Sequence, residues 1–181
     1  MVSGMVLVAP ALGTPASGVL TNTTGYPGDS SLVTVGLVTT GTWASNRKFE
    51  LPNPSVTADG EGDIVYFGGD IDTTPGAIYF YNADRSWEIT DANEVSTSTG
   101  LLAVALGDVS SETGMLIKGM VTLATNPGGT SLPIYLHVDS GSASVTAPTT
   151  SGAIVRVLGY TLNEDTSEVW FDPDKTWVEL S

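Results

Sequence analysis

Gly100-Leu101-Leu102-Ala103-Val104-Ala105-Leu106-Gly107 and, after a polar turn at Asp108 to Gly114, Met115-Leu116-Ile117-Lys118-Gly119-Met120-Val121-Thr122-Leu123 decide the fold. The two runs are short, apolar, bounded by glycine and separated by turn residues, which predicts two strands folded against each other. Alternation in the second run places Met115, Ile117, Val121 and Leu123 on one face, with Lys118 and Thr122 on the other. The first run recurs as Gly152-Ala153-Ile154-Val155-Arg156-Val157-Leu158-Gly159. That echo points to a β domain of two related halves.

Working outward, the rest of 55–181 reads as short strands punctuated by turns. Asp63 to Phe67 ends at Gly68-Gly69-Asp70. Ala77 to Tyr81 and Ser86 to Thr90 flank Asn82-Ala83-Asp84 as a hairpin, and Asp91 to Thr99 is a polar loop. Pro133 to Val138, a turn at Asp139-Ser140-Gly141 and Ala143 to Thr146 repeat that hairpin. Glu168 to Phe171 and Thr176 to Leu180, around Asp172-Pro173-Asp174-Lys175, predict a terminal hairpin with Trp170 facing Trp177. The apparent duplication covers 78–123 and 134–180. So many short strands are expected to close into a small antiparallel barrel or sandwich, which limits exposed edges.

Residues 1–54 differ. Through Asn46 the only charged side chain is Asp29, and short apolar pieces (Met5 to Ala9, Val19-Leu20, Leu32 to Val38) alternate with Gly, Pro and Thr. Such a segment cannot build its own core, yet it is too apolar for a solvated linker. It is expected to be an extended arm that intertwines with neighbouring copies or lies on a partner surface. Arg47-Lys48 and Pro52-Asn53-Pro54 put the boundary near residue 54.

Composition excludes several functions. The 181 residues carry 20 acidic and 6 basic side chains, a formal charge of −14. Nucleic acid and anionic membrane surfaces call for clustered Lys and Arg, so neither is an expected partner. With no cysteine, disulfides, zinc-thiolate sites and thiol nucleophiles are absent. No basic residue precedes the first apolar run, and Pro10 and Gly13 interrupt it, so it does not read as a signal peptide. Plentiful Gly, Thr, Ser and Val against scarce helix formers give an all-β expectation.

Chemistry-bearing patterns are thin. The single histidine, His137, lies in an apolar strand, and no serine sits in a Gly-x-Ser-x-Gly elbow. Acidic clusters at Asp59/Glu61/Asp63, Asp70/Asp72, Glu164/Asp165 and Asp172/Asp174 fall in or beside turns, where carboxylates cap and solubilise. Asp70-x-Asp72 and Asp172-x-Asp174 are the calcium candidates by ligand type, but neither extends into a twelve-residue loop pattern. Tyr79, Tyr81, Trp87, Trp170 and Trp177 are the candidates for a sugar-stacking platform, weighed against ordinary cross-strand packing. Asn22-Thr23-Thr24 matches a glycosylation acceptor. No catalytic, cofactor-binding or metal-ligating residue is assigned, and no cofactor is expected.

Pro10-Ala11-Leu12-Gly13-Thr14-Pro15-Ala16-Ser17-Gly18-Val19-Leu20-Thr21-Asn22-Thr23-Thr24-Gly25-Tyr26-Pro27, with Val38-Thr39-Thr40-Gly41-Thr42-Trp43, resembles the repeat-like segments of tail fibres and other structural proteins of tailed bacteriophages. The chain departs from those segments after Gly41-Thr42-Trp43, where Ala44-Ser45-Asn46-Arg47-Lys48 replaces the usual Gly-Gly-Thr-Gly. Gly62 to Phe67, Gly100 to Gly107 and Gly119-Met120-Val121-Thr122-Leu123 are similar to strands of small β-barrel domains in phage capsid decoration proteins and fibre tips. The resemblance implies a non-enzymatic virion surface protein, a homotrimer held by the 1–54 arm. It would sit on the capsid surface or a tail appendage, with the major capsid protein or another virion protein as partner. Modest length favours capsid decoration over a fibre. The alternative is a fibre or adhesin tip that binds host-surface glycans. A hydrolase using the acidic clusters is a distant third.

Overall fold

Eight strands follow one another in a single antiparallel path in the order β3-β2-β4-β5-β10-β9-β6-β7, and a ninth, β1, pairs with β5 outside it. They are β1 (Gly60–Val65), β2 (Ile78–Tyr81), β3 (Trp87–Ile89), β4 (Leu102–Ala105), β5 (Met115–Thr122), β6 (Pro133–Leu136), β7 (Ala143–Ser144), β9 (Val157–Thr161) and β10 (Glu168–Phe171). The strands β8 (Ile154–Val155) and β11 (Val178–Glu179) form a separate two-stranded sheet. Two one-turn helices, α1 (Val95–Ser98) and α2 (Ser110–Thr113), lie in the predicted loops. This computed structural model describes residues 49–50, 53, 55–163 and 166–181. The expected arm of residues 1–54 and the Glu164/Asp165 pair thus fall almost wholly outside the described residues.

The sheet curls into a half-barrel. Its path divides at the β5–β10 pairing into two quartets of like order. In each, the second strand in sequence lies outermost, followed by the first, third and fourth. Three backbone hydrogen bonds span the open side between the two quartets, and a fourth ties β8 to the first quartet. Ile78 N donates to Gly141 O at 3.0 Å, Gly141 N to Thr90 O at 2.7 Å, Ala92 N to His137 O at 2.8 Å and Ile154 N to Ala92 O at 2.8 Å. These bonds satisfy backbone groups that a free sheet edge would leave open.

Local chemistry explains the hairpins. Tyr79 faces Ile89 and Tyr81 faces Trp87 across β2 and β3. At the connecting turn the Asn82 side-chain oxygen accepts from Asp84 N at 2.9 Å and Ser86 N at 3.1 Å, while Arg85 takes a positive φ of 65°. An Asn side chain that mimics a turn carbonyl is the expected device. The two strands of the deciding stretch pair as predicted, with Val104 opposite Leu116 and Ala105 opposite Met115.

Three expectations need correction. First, β5 does not keep one face. Asp63 pairs with Lys118 but Ile64 pairs with Leu116, so Ile117 is a bulge residue. One extra residue inverts the alternation. Met115 and Ile117 therefore join the outer cluster with Trp87 and Tyr79, while Leu116, Val121 and Leu123 join the inner core. Second, Gly152 to Gly159 is not one strand. It breaks at Arg156 into β8, which pairs with β11, and β9, which pairs with β6 and β10. Third, there is no terminal hairpin. The strand β10 is held on both edges by β5 and β9, so the last strand pairs with β8 instead, Val178 opposite Val155. Trp170 packs edge-on against Phe49 at 5.9 Å, not against Trp177.

The inner core holds Ile78, Leu102, Val104, Leu116, Ile134, Leu136, Leu158 and Phe171, all essentially inaccessible. Burying each such side chain contributes about 1.5–3 kcal/mol. Phe171 sits where the sheet bends, opposite Gly119 on one side and Gly159 on the other. The two glycines have φ values of 149° and 138°, and any Cβ on either would run into the adjoining strand's backbone. Glycine at a tight sheet bend beside an aromatic is a recognised way to curve a sheet.

The outer cluster is covered by the segment from Tyr66 to Gly76. Trp87 Nε1 donates to Phe67 O at 2.7 Å, and the Phe67 ring stacks on Trp87 at 5.8 Å. Thr74 N donates to Tyr79 Oη at 2.8 Å, and Ser110 Oγ on α2 donates to Gly69 O at 2.8 Å. Among the described residues no helix is long and apolar enough to cross a membrane.

Candidate functional site

The turn after β10 organises a region where charge and concavity meet. Asp172 N donates to Leu158 O at 2.8 Å and Asp174 N donates to Val157 O at 2.9 Å, so the turn continues the β9 pairing. Thr176 N donates to Asp174 Oδ1 at 3.2 Å and stops it. From the interruption between β8 and β9, Arg156 reaches under the turn. Its Nε donates to Asp174 O at 2.8 Å, and its Nη1 donates to Ser98 O at 2.7 Å and Gly100 O at 2.8 Å. One buried guanidinium thereby ties the end of α1 to the 172–175 turn. Charge-assisted bonds of this kind repay the cost of burying the ion.

A hollow opens on each side of the turn. The first, about 390 Å³, has Leu101, Leu102 and Ile117 as its apolar wall, with Lys118, Arg156 and Lys175 around it. The second, about 380 Å³, is lined by Tyr160, Trp170, Asp174 and Lys175. Asp172 and Pro173 line both. Lys118 Nζ is 2.7 Å from Asp172 Oδ2, an exposed pair. Burial pushes the Arg156 guanidinium below its ordinary value, and the Asp174 carboxylate opposes that shift. The hydrogen bond from Thr176 N holds the Asp174 carboxyl below the usual carboxylate range, helped by the Thr176 side chain, Lys175 N and the Arg156 charge. Both groups are charged at neutral pH.

The residues singled out from sequence are mostly dispersed. His137 Nδ1 accepts from Asp139 N at 3.1 Å and lies 3.4 Å from Asp139 Oδ2. Ser142 and Ser144 line the same small hollow, but neither hydroxyl is bonded to the imidazole, and Ser144 Oγ accepts from Thr146 N at 3.0 Å. A nucleophile–base pair needs that missing bond. Asp59 and Glu61 accept from the backbone at Asn53 N (2.6 Å) and Glu50 N (2.8 Å), so they hold the chain entering the domain. Asp70 accepts from Ser111 Oγ, and Asp72 bridges to Val109, which fastens the covering segment to α2. Among the described residues no three potential metal-ligating side chains come together.

Of the aromatics, Tyr79 and Trp87 are buried and Tyr81 is half-buried beneath the covering segment. Trp170 meets the second hollow in company with Tyr160, which is 53% exposed and was not singled out from sequence. The available signal was the alternation Leu158-Gly159-Tyr160-Thr161, in which Tyr160 falls between two inward-facing positions. Arg156 was missed as well: a lone Arg inside an apolar run was its signal.

Fold and site together define an acidic, mostly β domain, a curled antiparallel sheet with paired hollows around one turn. The chain matches no protein-family model and no curated protein.

Proposed function

We propose that this chain is a non-enzymatic structural protein of a tailed-bacteriophage virion, a trimeric capsid decoration protein that clamps and stabilises the shell. One contrast carries the proposal. The β domain has a core of its own, drawn from residues 78–171, whereas residues 1–54 supply apolar side chains with almost no charge. Those side chains gain by burial on other chains, at roughly 25 cal/mol per Å² of apolar surface. Phe49 packs edge-on against Trp170. The resemblance of Pro10 to Pro27 and Val38 to Trp43 to phage structural segments names the assembly. The like strand order of the two quartets supports treating the halves as related.

Two measurements test this. Full-length chain should have a native mass of three copies, and deletion of residues 1–54 should release monomers that keep their β circular dichroism. Particles lacking the protein should open at lower temperature and weaker osmotic shock than complete ones; equal resistance would sink the decoration reading.

A second reading, a fibre or adhesin tip for host-surface glycans, is favoured by the Tyr160–Trp170 hollow. There an exposed ring, two carboxylates and an ammonium lie together as in a sugar-stacking cleft. Glycan-array binding lost on Tyr160→Ala, with folding retained, would promote it.

A further inference from the structure

We propose that the first hollow, between Leu101 and the 172–175 turn, is a binding site for a small organic monocarboxylate, a single negative charge on an apolar body. The inference is independent of the virion reading.

Arg156 is the first observation. The residue is 5% exposed, and its Nε and Nη1 are committed to the carbonyls of Ser98, Gly100 and Asp174. Nη2 takes part in none of these bonds. No buried side-chain nitrogen or oxygen among the described residues lacks a partner, so Nη2 is not sealed off from solvent, and Arg156 lines the hollow. A rigidly held guanidinium with one amino group outward is a preorganised donor for a carboxylate oxygen.

The second observation is the distribution of charge. In a chain of net charge −14, three of its six basic residues (Lys118, Arg156 and Lys175) line this one hollow. Lys118 is paired with Asp172, and the Lys175 ammonium takes part in no hydrogen bond or ion pair among the described residues. Asp63 and Asp172 line the hollow as well, and the Asp174 carboxylate acts on Arg156, so the Lys175 ammonium is the one cation there without an ion-pair partner among the described residues. A single unpaired ammonium suits a monoanion, while the surrounding carboxylates disfavour a phosphate dianion.

Third, the wall is apolar. Leu101 is 44% exposed, and with Leu102 and Ile117 it forms an apolar surface beside the cations. A volume of about 390 Å³ lies at the small end of the range for ligand sites. The carboxylate would meet Nη2 of Arg156 and Nζ of Lys175, and the ligand body would cover Leu101 and Ile117.

The test titrates the full-length chain by calorimetry and by amide chemical shift. The probes are benzoate, its neutral isostere benzamide and the cation benzylammonium. Benzoate should bind saturably and at least tenfold more tightly than benzamide, with benzylammonium the weakest, and should shift the amides of Leu101 and Ile117. Lys175→Gln should weaken benzoate severalfold, and Leu101→Asp should abolish its binding. Both positions are exposed, so both variants should keep the parent unfolding midpoint within error. Benzoate that does not bind, or binds no better than benzamide, overturns the proposal. So does parental binding by both variants.

Discussion

Replacing Gly159 by Ala tests the account of sheet curvature most directly. Gly159 has φ 138°, and a Cβ there would lie well inside contact distance of the Trp170 carbonyl, with the carbonyl carbon at 2.9 Å and Asp172 N at 3.2 Å. The obstructing atoms are backbone of β10 and of the turn that follows it, so no rotamer change relieves them. Holding a non-glycine residue in that region costs about 1–3 kcal/mol. Displacing a packed strand costs roughly 1–3 kcal/mol more. A loss of about 2–6 kcal/mol out of a typical 5–15 kcal/mol is thus expected. Gly152→Ala is the control, because Gly152 also has a positive φ (84°) but nothing lies within 4 Å of its added Cβ. It should lose only the conformational part, about 1–2 kcal/mol. Urea unfolding of both variants, followed by tryptophan fluorescence and circular dichroism with slopes compared, measures the difference. If Gly159→Ala falls within about 0.5 kcal/mol of Gly152→Ala, a spread typical of inconsequential sites, close approach at Phe171 is not what bends the sheet.

Trp87→Phe keeps the ring packing but removes the bond from Nε1 to Phe67 O, and should cost about 1–2 kcal/mol. Thermal unfolding measures that cost, and amide exchange should accelerate over 67–76 first if this bond pins the covering segment. Asp174→Asn addresses pH. The Asp174 carboxyl is held lower in the folded than in the unfolded chain, so its contribution is complete above the ordinary aspartate value of about 4 and fades as pH falls through the folded value. The stability difference between parent and variant should be flat from pH 5 to 8, at about the limits where carboxylates stay ionised, and shrink toward zero in more acid solution. A difference that grows on acidification would refute the assignment.

Much of the local structure was legible in the residues. The β2–β3 hairpin follows from two aromatic-rich runs around Asn82-Ala83-Asp84-Arg85, because the turn makes its own hydrogen bonds and leaves one register open. The β4–β5 pairing follows from two apolar runs a short turn apart. The charged hollow was not legible. Lys118, Arg156 and Lys175 are widely separated in sequence, and no local pattern brings the three together.

By itself, then, the sequence determined a mostly β domain, the β2–β3, β4–β5 and β6–β7 strand pairs and a strongly acidic charge balance, since propensity, alternation and turn chemistry act over a few residues. Tertiary structure alone decided the rest. It chose β5 and β9 as the partners of β10, which sent the last strand to β8. It inserted the Ile117 bulge that turned Met115 outward and Val121 inward. It also interrupted the second glycine-bounded run at Arg156, whose side chain finds three carbonyls from distant segments. Each of these choices depends on contacts between residues far apart in the chain, which no local pattern encodes.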